Sequence, residues 1–483
     1  MGFFPNPIPY LCRPMNLADS ISHPVFKAAR AASEQIGIKS YVIGGFVRDS
    51  LLEIPSKDID IVAEGPGIAL AEAFAKEIGA KKEDVVIFKS YGTAMVRFDD
   101  EYEVEFVGAR KESYNRDSRK PIVEEGTLKD DQVRRDFTIN ALSISLNATD
   151  WGEVHDPFGG LADLSKGIVR TPTDPDITFS DDPLRMMRAV RFAGRLGFEI
   201  EEETWEGIRR NVDRLSIVSQ ERITDELGKM IDHRLPSESF KLLFNTGLLY
   251  KVLPELQAMA GVDVVDGRGH KDNFYHTLEV LDNVTKVSNN HWLRWVAILH
   301  DIAKPLTKRY EPGTGWTFHG HEDKGSRMVP KIFRRMKLPL TEPLRYVQKL
   351  VALHQRPIAL VSTEVSDSAI RRIVVDAGED LEDLLMFCRC DITSKNPNKV
   401  KRFLNNYDVL EKRIYEVLER DNLRNWQPPV DGDLIMETFN LKPSKTVGQI
   451  KNDIREAILE GVIPNEKEAA MAYMKEIAAK YIA

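Results

Sequence analysis

Cysteine is scarce in this chain, and long apolar runs are missing. Three cysteines among 483 residues (Cys12, Cys388 and Cys390) are too few for a disulfide framework, which indicates a reducing cytoplasm. No stretch of about 18 apolar residues occurs, so we expect no membrane span. The first residues lack the basic flank and apolar core of a secretory signal. These absences predict a cytoplasmic protein without membrane partners.

Charge of one sign is also not in strong excess. The formal net charge is −8, from 67 Lys and Arg against 75 Asp and Glu. This balance does not indicate a nucleic-acid-binding protein, and it does not exclude one, because local basic faces make the contacts. The proportions of charged residues (29%) and hydrophobic residues (42%) are ordinary for a soluble globular protein. The length predicts two to four domains.

The first informative stretch is residues 41–62, YVIGGFVRDSLLEIPSKDIDIV. An apolar strand ends in Gly44-Gly45, and such a pair lets the backbone bend sharply and approach a phosphate. Asp58 and Asp60 lie two apart in a second strand, so both side chains leave the same face. Two adjacent carboxylates repel each other unless a cation lies between them, and hard oxygen ligands suit Mg²⁺. The stretch therefore predicts a site for phosphoryl or nucleotidyl transfer, with a solvated turn carrying incidental acids as the alternative.

The following segments contribute a possible third carboxylate. Residues 85–98 and 102–110 alternate in the manner of a hairpin, and Glu105 on the second strand is a candidate ligand beside the aspartates. An acid on an edge strand is the alternative interpretation. Residues 111–133 are polar and interrupted by Pro and Gly, which predicts a flexible loop.

Arg134 and Arg135 come directly before a predicted helix or strand. Arginine forks stay charged and bind oxygens bidentately, which suits a triphosphate, and Asp136 would orient one of them. A surface cluster of salt bridges is the alternative.

The segment 180–198, SDDPLRMMRAVRFAGRLGF, predicts a helix that starts at Ser180 or Asp181. Asp182 and Arg185 are three apart, so they would share a helix face. A carboxylate acceptor beside a guanidinium donor would be able to read the edge of a nucleobase. An intrahelical ion pair is the alternative.

Four motifs thus stand in one order: GGFVRD with DID, RRDFTINA, DDPLR leading into RFAGRLGF, and SQERITDEL, in which Ser219 caps a helix and Arg222 and Glu226 are four apart. Together they resemble class II tRNA nucleotidyltransferases, the CCA-adding enzymes, whose family includes bacterial poly(A) polymerases. The resemblance covers roughly residues 25–235. It implies an α+β head with a nucleotidyltransferase-type mixed sheet, followed by an all-α neck, body and tail.

The resemblance also implies roles for individual residues. Asp58 and Asp60 would hold catalytic Mg²⁺, with Glu105 as an additional catalytic carboxylate. The nucleotide sugar and phosphates would meet Gly44, Gly45, Arg48, Asp49, Arg134, Arg135, Asp136, Asn140, Arg188 and Arg191.

Base selection would fall to Asp182 and Arg185, which would make Watson–Crick-like bonds to incoming CTP or ATP. The family usually has Glu-Asp where this chain has Asp181-Asp182, so a role for Asp181 is not implied.

Histidines are concentrated in the second half of the chain. His300-Asp301 lies inside an apolar predicted helix, and imidazole and carboxylate ligands suit divalent metals. The spaced set resembles the HD phosphohydrolase superfamily, which implies a divalent metal held by His276, His300, Asp301 and Asp391. Lys304 would lie near a phosphate, and a second metal or the substrate would meet His319, His321 or His354. A degenerate domain that serves as an RNA-binding body is the alternative.

We therefore expect a catalytic head at 25–165, a neck with base recognition at 166–240, an HD-type domain at 241–395, and a tail contacting tRNA at 396–483. The expected reaction is template-independent addition of CMP and AMP to tRNA from CTP and ATP, by a monomer or homodimer. The alternatives are a poly(A) polymerase, a CC- or A-adding specialist, and an HD phosphohydrolase with an RNA-binding head.

Overall fold

The computed structural model describes residues 16–89, 92–99, 102–113, 122–360, 366–394, 396–421 and 429–482. The chain forms two compact units, residues 1–257 and 258–483. Within the described ranges, no helix is long and apolar enough to cross a membrane.

A mixed sheet forms the centre of the first unit, as the family resemblance implies for the head. Seven strands lie in the order β3-β4-β5-β2-β1-β8-β9, with β2 and β5 parallel and the remaining neighbours antiparallel. Two further strands, β6 and β7, pair with each other. The strands are β1 Ser40–Ile43, β2 Asp58–Ala63, β3 Val85–Phe88, β4 Thr93–Arg97, β5 Glu103–Gly108, β6 Arg110–Ser113, β7 Ile122–Glu125, β8 Ser143–Ser145 and β9 Val154–His155.

Helices cover the sheet and continue as a helical region. They are α1 Pro24–Ile36, α2 Gly45–Leu51, α3 Gly67–Glu77, α4 Leu128–Val133, α5 Gly160–Lys166, α6 Pro175–Asp181, α7 Leu184–Leu196, α8 Glu202–Asn211, α9 Gln220–Ile231, α10 Pro236–Thr246, α11 Leu248–Val252 and α12 Pro254–Gln257. A short parallel pair, β10 Ile168–Val169 and β11 Glu199–Ile200, flanks α7. The apolar stripe of α7 is buried through Met187 and Val190, as its helical spacing requires.

The structure corrects three local predictions. The stretch 85–98 is two strands, because Gly92 at φ +66° turns the chain between β3 and β4. The predicted loop 111–133 contains β6, β7 and α4, whose start is fixed by a capping box between Thr127 and Asp130; residues 114–121 of that loop lie outside the described residues. The helix predicted from Ser180 is interrupted, because Asp182 is extended between α6 and α7.

The second unit is mainly helical. Two small hairpins, β12 Val264–Val265 with β13 Arg268–Gly269 and β14 Arg309–Glu311 with β15 Gly315–Thr317, accompany the helices. The helices are α13 Asn273–Val287, α14 His291–Leu299, α15 Lys304–Thr307, α16 His321–Arg335, α17 Glu342–Leu353, α18 Gln355–Leu360, α19 Asp367–Ala377, α20 Leu381–Asp391, α21 Pro397–Arg420, α22 Gly432–Phe439, α23 Lys445–Leu459 and α24 Lys467–Ala478. The last three pack around a separate apolar cluster that includes Ile435, Ile454 and Met474.

Candidate functional sites

The glycine pair forms a sharp turn between β1 and α2. Gly44 has φ +82°, a backbone conformation that L side chains rarely adopt. A Cβ at this position would lie 2.8 Å from Nη1 of Arg135 and 3.5 Å from Oδ2 of Asp60. Glycine is therefore needed here both for the turn and for the close approach of a cation and a carboxylate.

Three carboxylates lie on one face of the sheet beside this turn. Asp58 and Asp60 are on β2, and Glu105 on β5 is directly opposite Asp60. Burial raises the pKa of Asp60, and Asp58 raises it further, whereas Arg135 lowers it. The pKa of Glu105 is raised by burial and then by Asp60. These mutually repelling oxygen donors fit a hard divalent cation such as Mg²⁺.

Basic side chains form a basic wall of a cavity of about 720 Å³, which the three carboxylates also line. The cavity is lined by most of the predicted residues: Gly44, Gly45, Arg48, Asp49, Asp58, Asp60, Glu105, Arg135, Asp136, Asn140, Arg188 and Arg191. Sequence reasoning missed Lys57, Glu103, Phe192, Arg195 and Lys229, which also line it. Carboxylates facing a group of guanidinium ions can hold a polyphosphate together with a divalent cation.

A chain of buried hydrogen bonds fixes this basic wall. Arg48 Nη1 donates to Asn140 Oδ1 (2.6 Å), Asn140 Nδ2 donates to Asp136 Oδ1 (3.0 Å), and Arg188 Nε donates to Asp136 Oδ2 (2.7 Å). Burial alone would raise the pKa of Asp136, but Arg188 and Asn140 outweigh burial and lower it to about 2. Asp136 therefore stays ionised and orients Arg188.

Phe192 stands at the centre of the arginines. The guanidinium carbons of Arg48, Arg188 and Arg191 lie 4.9, 5.3 and 4.2 Å from its ring centroid. Cations over an aromatic face are attracted by the ring quadrupole. The ring packs the three cations into a fixed array facing the cavity.

Glu226 on α9 supplies the negative charge that pairs with this array. Its carboxylate, on a residue only 2% exposed, accepts from Arg191 Nε at 2.5 Å and lies 3.9 Å from Arg188 Nη1 and 3.4 Å from Lys229 Nζ. No local spacing reveals this partnership, because Arg191 and Glu226 are 35 residues apart.

The structure places three predicted nucleotide-binding residues outside the cavity lining. Arg134 pairs with buried Asp131, which also accepts from Arg135 Nε at 3.1 Å. Asp131 lies three and four positions before the two arginines, which is the spacing of ion pairs along a helix, so the sequence could have indicated these pairs.

The other two are Asp182 and Arg185, and the prediction that they share a helix face is wrong. Asp182 precedes α7 in extended backbone and pairs with Arg222 at 2.7 Å. Arg185, 9% exposed, donates to the carbonyl oxygen of Arg134 at 2.6 Å. Both side chains are thus engaged by other protein groups in this structure.

The second unit brings together six side chains of the ligand type at the ends of its helices. They form two groups, and within each group the ligand atoms lie within 4.8 Å of one another. The first group is His276, His300 and Asp391, and the second is Asp301, His321 and His354. The four predicted ligands are all present, and His321 and His354 join them. His319 is exposed and belongs to neither group.

Backbone hydrogen bonds orient the histidine rings. Nδ1 of His300, His321 and His354 lies 2.8, 2.8 and 2.7 Å from the carbonyl oxygens of Ala297, Phe318 and Val351. If each Nδ1 carries the proton, each Nε2 is free to coordinate a metal, which is the usual arrangement of metal-bound histidine.

The ligand atoms of this cluster lie close to one another. His276 Nε2 is 2.9 Å from Asp391 Oδ1, His300 Nε2 is 3.2 Å from Asp301 Oδ2, and His321 Nε2 is 3.1 Å from Asp301 Oδ1. Burial alone would raise the pKa of Asp391, but the bond from His276 and the nearby His300 lower it to about 2. Buried imidazole nitrogens and carboxylate oxygens that converge in this way fit one or two divalent metal ions. Lys304 Nζ lies 2.5 Å from Asp301 Oδ2, at the edge of the group.

Comparisons with known proteins match three stretches of this chain. Residues 40–170 match the poly A polymerase head domain, 197–259 match a probable RNA and SrmB-binding site of polymerase A, and 273–382 match the HD domain. A solved structure of a CCA-adding enzyme, apo form II, shares the fold with a TM-score of 0.62, covering 96% of this chain and 99% of that chain at 22% identity. The class is thus a nucleotidyltransferase head joined to an HD domain.

Sequence relatives show which family within this class the chain belongs to. The A-adding tRNA nucleotidyltransferase of Deinococcus radiodurans is 29% identical over 437 residues, 89% of this chain and 93% of the relative. The multifunctional CCA protein of Neisseria gonorrhoeae is 33% identical over 311 residues, 62% of this chain and 70% of the relative. The chain belongs to the family of tRNA nucleotidyltransferases that includes these CCA-adding and A-adding enzymes. It spans only 28% and 26% of the A-adding relatives from Geobacter sulfurreducens and Aquifex aeolicus.

Proposed function

We propose that this protein adds CMP and AMP to the 3′ end of tRNA from CTP and ATP, without a template and with release of pyrophosphate. The observation that carries the proposal is the cavity that Asp58, Asp60 and Glu105 line together with Arg188 and Arg191. Acids that fit a divalent cation and fixed cations that fit a triphosphate thus share one cavity. The Deinococcus radiodurans relative, named as an A-adding tRNA nucleotidyltransferase, supports tRNA as the acceptor.

The protein's own groups have separate tasks in this reaction. Mg²⁺ held by Asp58 and Asp60, when bound, would lower the pKa of the RNA 3′-hydroxyl and neutralise charge on the α-phosphate and the leaving pyrophosphate. The guanidinium ions of Arg135, Arg188 and Arg191 would orient the triphosphate. The Gly44 turn would let the backbone approach it closely.

Replacing Asp60 tests the carboxylate assignment. We expect Asp60→Ala to lower kcat for CMP addition by about 10³-fold or more, about 4 kcal/mol, because a metal-holding oxygen is lost. Exposed Glu77 at the end of α3 provides the control, and Glu77→Ala should retain normal activity. Near-normal CMP addition by Asp60→Ala would disprove the assignment.

Base selection by Asp182 and Arg185 also belongs to the proposal. It requires both side chains to leave their present partners, Arg222 and the Arg134 carbonyl, when a nucleotide binds. Arg185→Ala should then raise the incorporation of wrong nucleotides relative to CMP and AMP, because mismatched bases would no longer leave a polar group unpaired. Arg209→Ala, which removes an exposed arginine, is the control. An equal loss with every nucleotide would argue against base reading.

The relatives include both CCA-adding and A-adding enzymes, so the range of added nucleotides needs its own assay. We expect the protein to extend tRNA lacking its last three nucleotides when CTP and ATP are present together, and to stop after two C residues with CTP alone. Addition only to tRNA that already ends in CC would identify an A-adding specialist. Stopping after CC even when ATP is present would identify a CC-adding one. Long A tails would identify a poly(A) polymerase, and the absence of any addition would favour the HD phosphohydrolase with an RNA-binding head.

A second activity, phosphohydrolysis at the HD centre, is favoured by the six converging, buried or nearly buried side chains of the ligand type. Divalent metal bound there would supply an activated water and stabilise charge on a phosphate ester. We expect purified protein to contain transition metal that His300→Ala loses and His319→Ala retains, because His319 lies outside both groups. Both variants should keep nucleotide addition. Equal metal content in the two variants would support the degenerate-domain alternative.

A further inference from the structure

One histidine of the HD centre, His276, differs from the other three in the neighbours of its Nδ1 atom. In the other three rings this atom faces a backbone carbonyl oxygen, which can only accept a hydrogen bond. Nδ1 of His276 instead lies 2.9 Å from Lys271 Nζ and 2.9 Å from Thr393 Oγ1. Lys271 also donates to the Thr393 hydroxyl. A cation therefore meets the centre at this ring.

The hydrogen-bonding capacity of the two neighbours decides what each can do. An ammonium group only donates, whereas a hydroxyl group both donates and accepts. Nδ1 of His276 therefore accepts from Lys271 in this structure. A neutral imidazole that coordinates a metal through Nε2 carries its proton on Nδ1, and of the two neighbours only Thr393 can accept that proton. Coordination of a metal by His276 thus releases Lys271 from the ring, while Thr393 keeps the ring in place.

Lys271 is also within reach of an anion that arrives from solvent. Its side chain is 47% exposed, and the carboxylate that pairs with it, Glu279 Oε2, is 3.8 Å away and itself about half exposed. Exposed ion pairs of this kind contribute about 0–1 kcal/mol, so Lys271 exchanges partners at little cost. The second lysine at the centre, Lys304, is held by Asp301 Oδ2 at 2.5 Å. Lys271 is therefore the more easily released of the two cations.

The backbone of Lys271 is held by the preceding residue. Nε2 of His270 accepts from the N–H of Asp263 at 3.2 Å, so its Nδ1 carries the proton and donates to the carbonyl oxygen of Lys271 at 2.7 Å. The His270 ring packs edge-on against Trp316 and Phe318, with centroids 5.4 and 5.7 Å apart. A charged side chain on a fixed backbone moves its end group without losing its place at the centre.

We propose that Lys271 is a phosphate-binding residue of the HD centre, which pairs with His276 in this structure and turns to the phosphate of the substrate when His276 coordinates a metal. Asp301 and Asp391 balance the charge of one divalent ion, so the charge of Lys271 remains available to an anion. Hydrogen bonds from an ammonium group to phosphate oxygens are among the strong ones in proteins. The inference rests on the phosphohydrolase activity proposed above and adds a residue that recognises the phosphate.

Binding of inorganic phosphate to the metal-containing full chain, measured by isothermal titration calorimetry, tests this role. The arginines of the head also suit phosphate, so only the binding that His300→Ala removes is assigned to the HD centre. Lys271→Met, which keeps the length of the side chain without its charge, should raise the Kd of this binding about 10-fold to 100-fold. Lys271→Arg should restore most of the affinity. Lys331→Met, at an exposed position on α16, should leave Kd unchanged.

Metal content separates phosphate binding from a purely structural role. Lys271→Met should hold as much metal as wild type, because Thr393 still orients His276. An unchanged Kd, a loss of metal as large as that of His300→Ala, or the absence of phosphate binding that depends on His300 would each overturn the inference. Hydrolysis of p-nitrophenyl phosphate tests the proposed activity separately. A protein that holds metal and binds phosphate through Lys271 without hydrolysing this ester would refute the activity and support the phosphate site.

Discussion

Glu226→Gln is expected to weaken both the fold of the first unit and nucleotide binding. The substitution keeps the shape of the side chain but removes the negative charge that neutralises buried Arg191, with Arg188 3.9 Å and Lys229 3.4 Å from the carboxylate. A hydrogen bond between charged groups contributes about 1.5–3 kcal/mol, and breaking a buried ion pair costs about 3–5 kcal/mol. Because Arg191 borders an open cavity, we expect a loss near the lower limit, about 2–3 kcal/mol.

Urea unfolding of wild type and variant measures this loss directly. Glu238→Gln is the matched control, because Glu238 forms an exposed ion pair with Lys241 at 2.7 Å and should contribute less than about 1 kcal/mol. Bound ATP should stabilise Glu226→Gln relative to its free form, since the triphosphate supplies negative charge to the same arginines, but KM for ATP should rise. Equal losses of stability in the two variants would refute the inference that Glu226 organises the basic wall.

Two further predictions concern single positions. Gly44→Ala should raise KM for the nucleotide, because the added Cβ would meet Arg135. The control is Gly79→Ala, at a similar φ of +64° but with no atom within 4 Å of the added Cβ, which should cause backbone strain alone. Equal KM values for the two variants would contradict this prediction. Burial, followed by Arg191 and Arg195, lowers the pKa of His233 from 6.5 to about 4. Between pH 6.5 and pH 4 the His233 ring is therefore protonated in the unfolded chain and neutral in the folded chain. The free energy of unfolding is therefore unaffected by His233 above pH 6.5, and it decreases as the pH falls from 6.5 towards 4. Because the ring is partly exposed, we expect this loss of unfolding free energy to be about 1–2 kcal/mol. Urea unfolding at several pH values measures it, and His233→Asn should remove this pH dependence.

Local patterns predicted most of the residues that line the cavity of the head. The two-residue spacing of Asp58 and Asp60 fixes a shared face in any strand, and the glycine pair requires a turn before α2. Strand parity likewise put Glu105 on the face where the parallel pairing with β2 brings it opposite Asp60. These results follow from backbone geometry, which a short sequence specifies.

Local patterns failed where charges have more than one available partner. Asp182 and Arg185 are three apart, yet each pairs with a group distant in sequence, because an extended residue separates α6 from α7. Arg222 and Glu226 are four apart in one helix, yet they pair with Asp182 and Arg191. Helix spacing shows which partners are possible, and tertiary packing selects among them.

Residue types and their spacing were enough to predict the kinds of groups present: a glycine turn, paired carboxylates and arginines in the head, and histidines with aspartates in the second unit. These could be predicted because side-chain type and strand or helix period are local properties. The folded structure was needed to show that Glu226 neutralises Arg191, and that His321 and His354 join the HD centre while His319 does not. These relations join residues distant in the chain, and their positions are set by the packing of whole helices and strands.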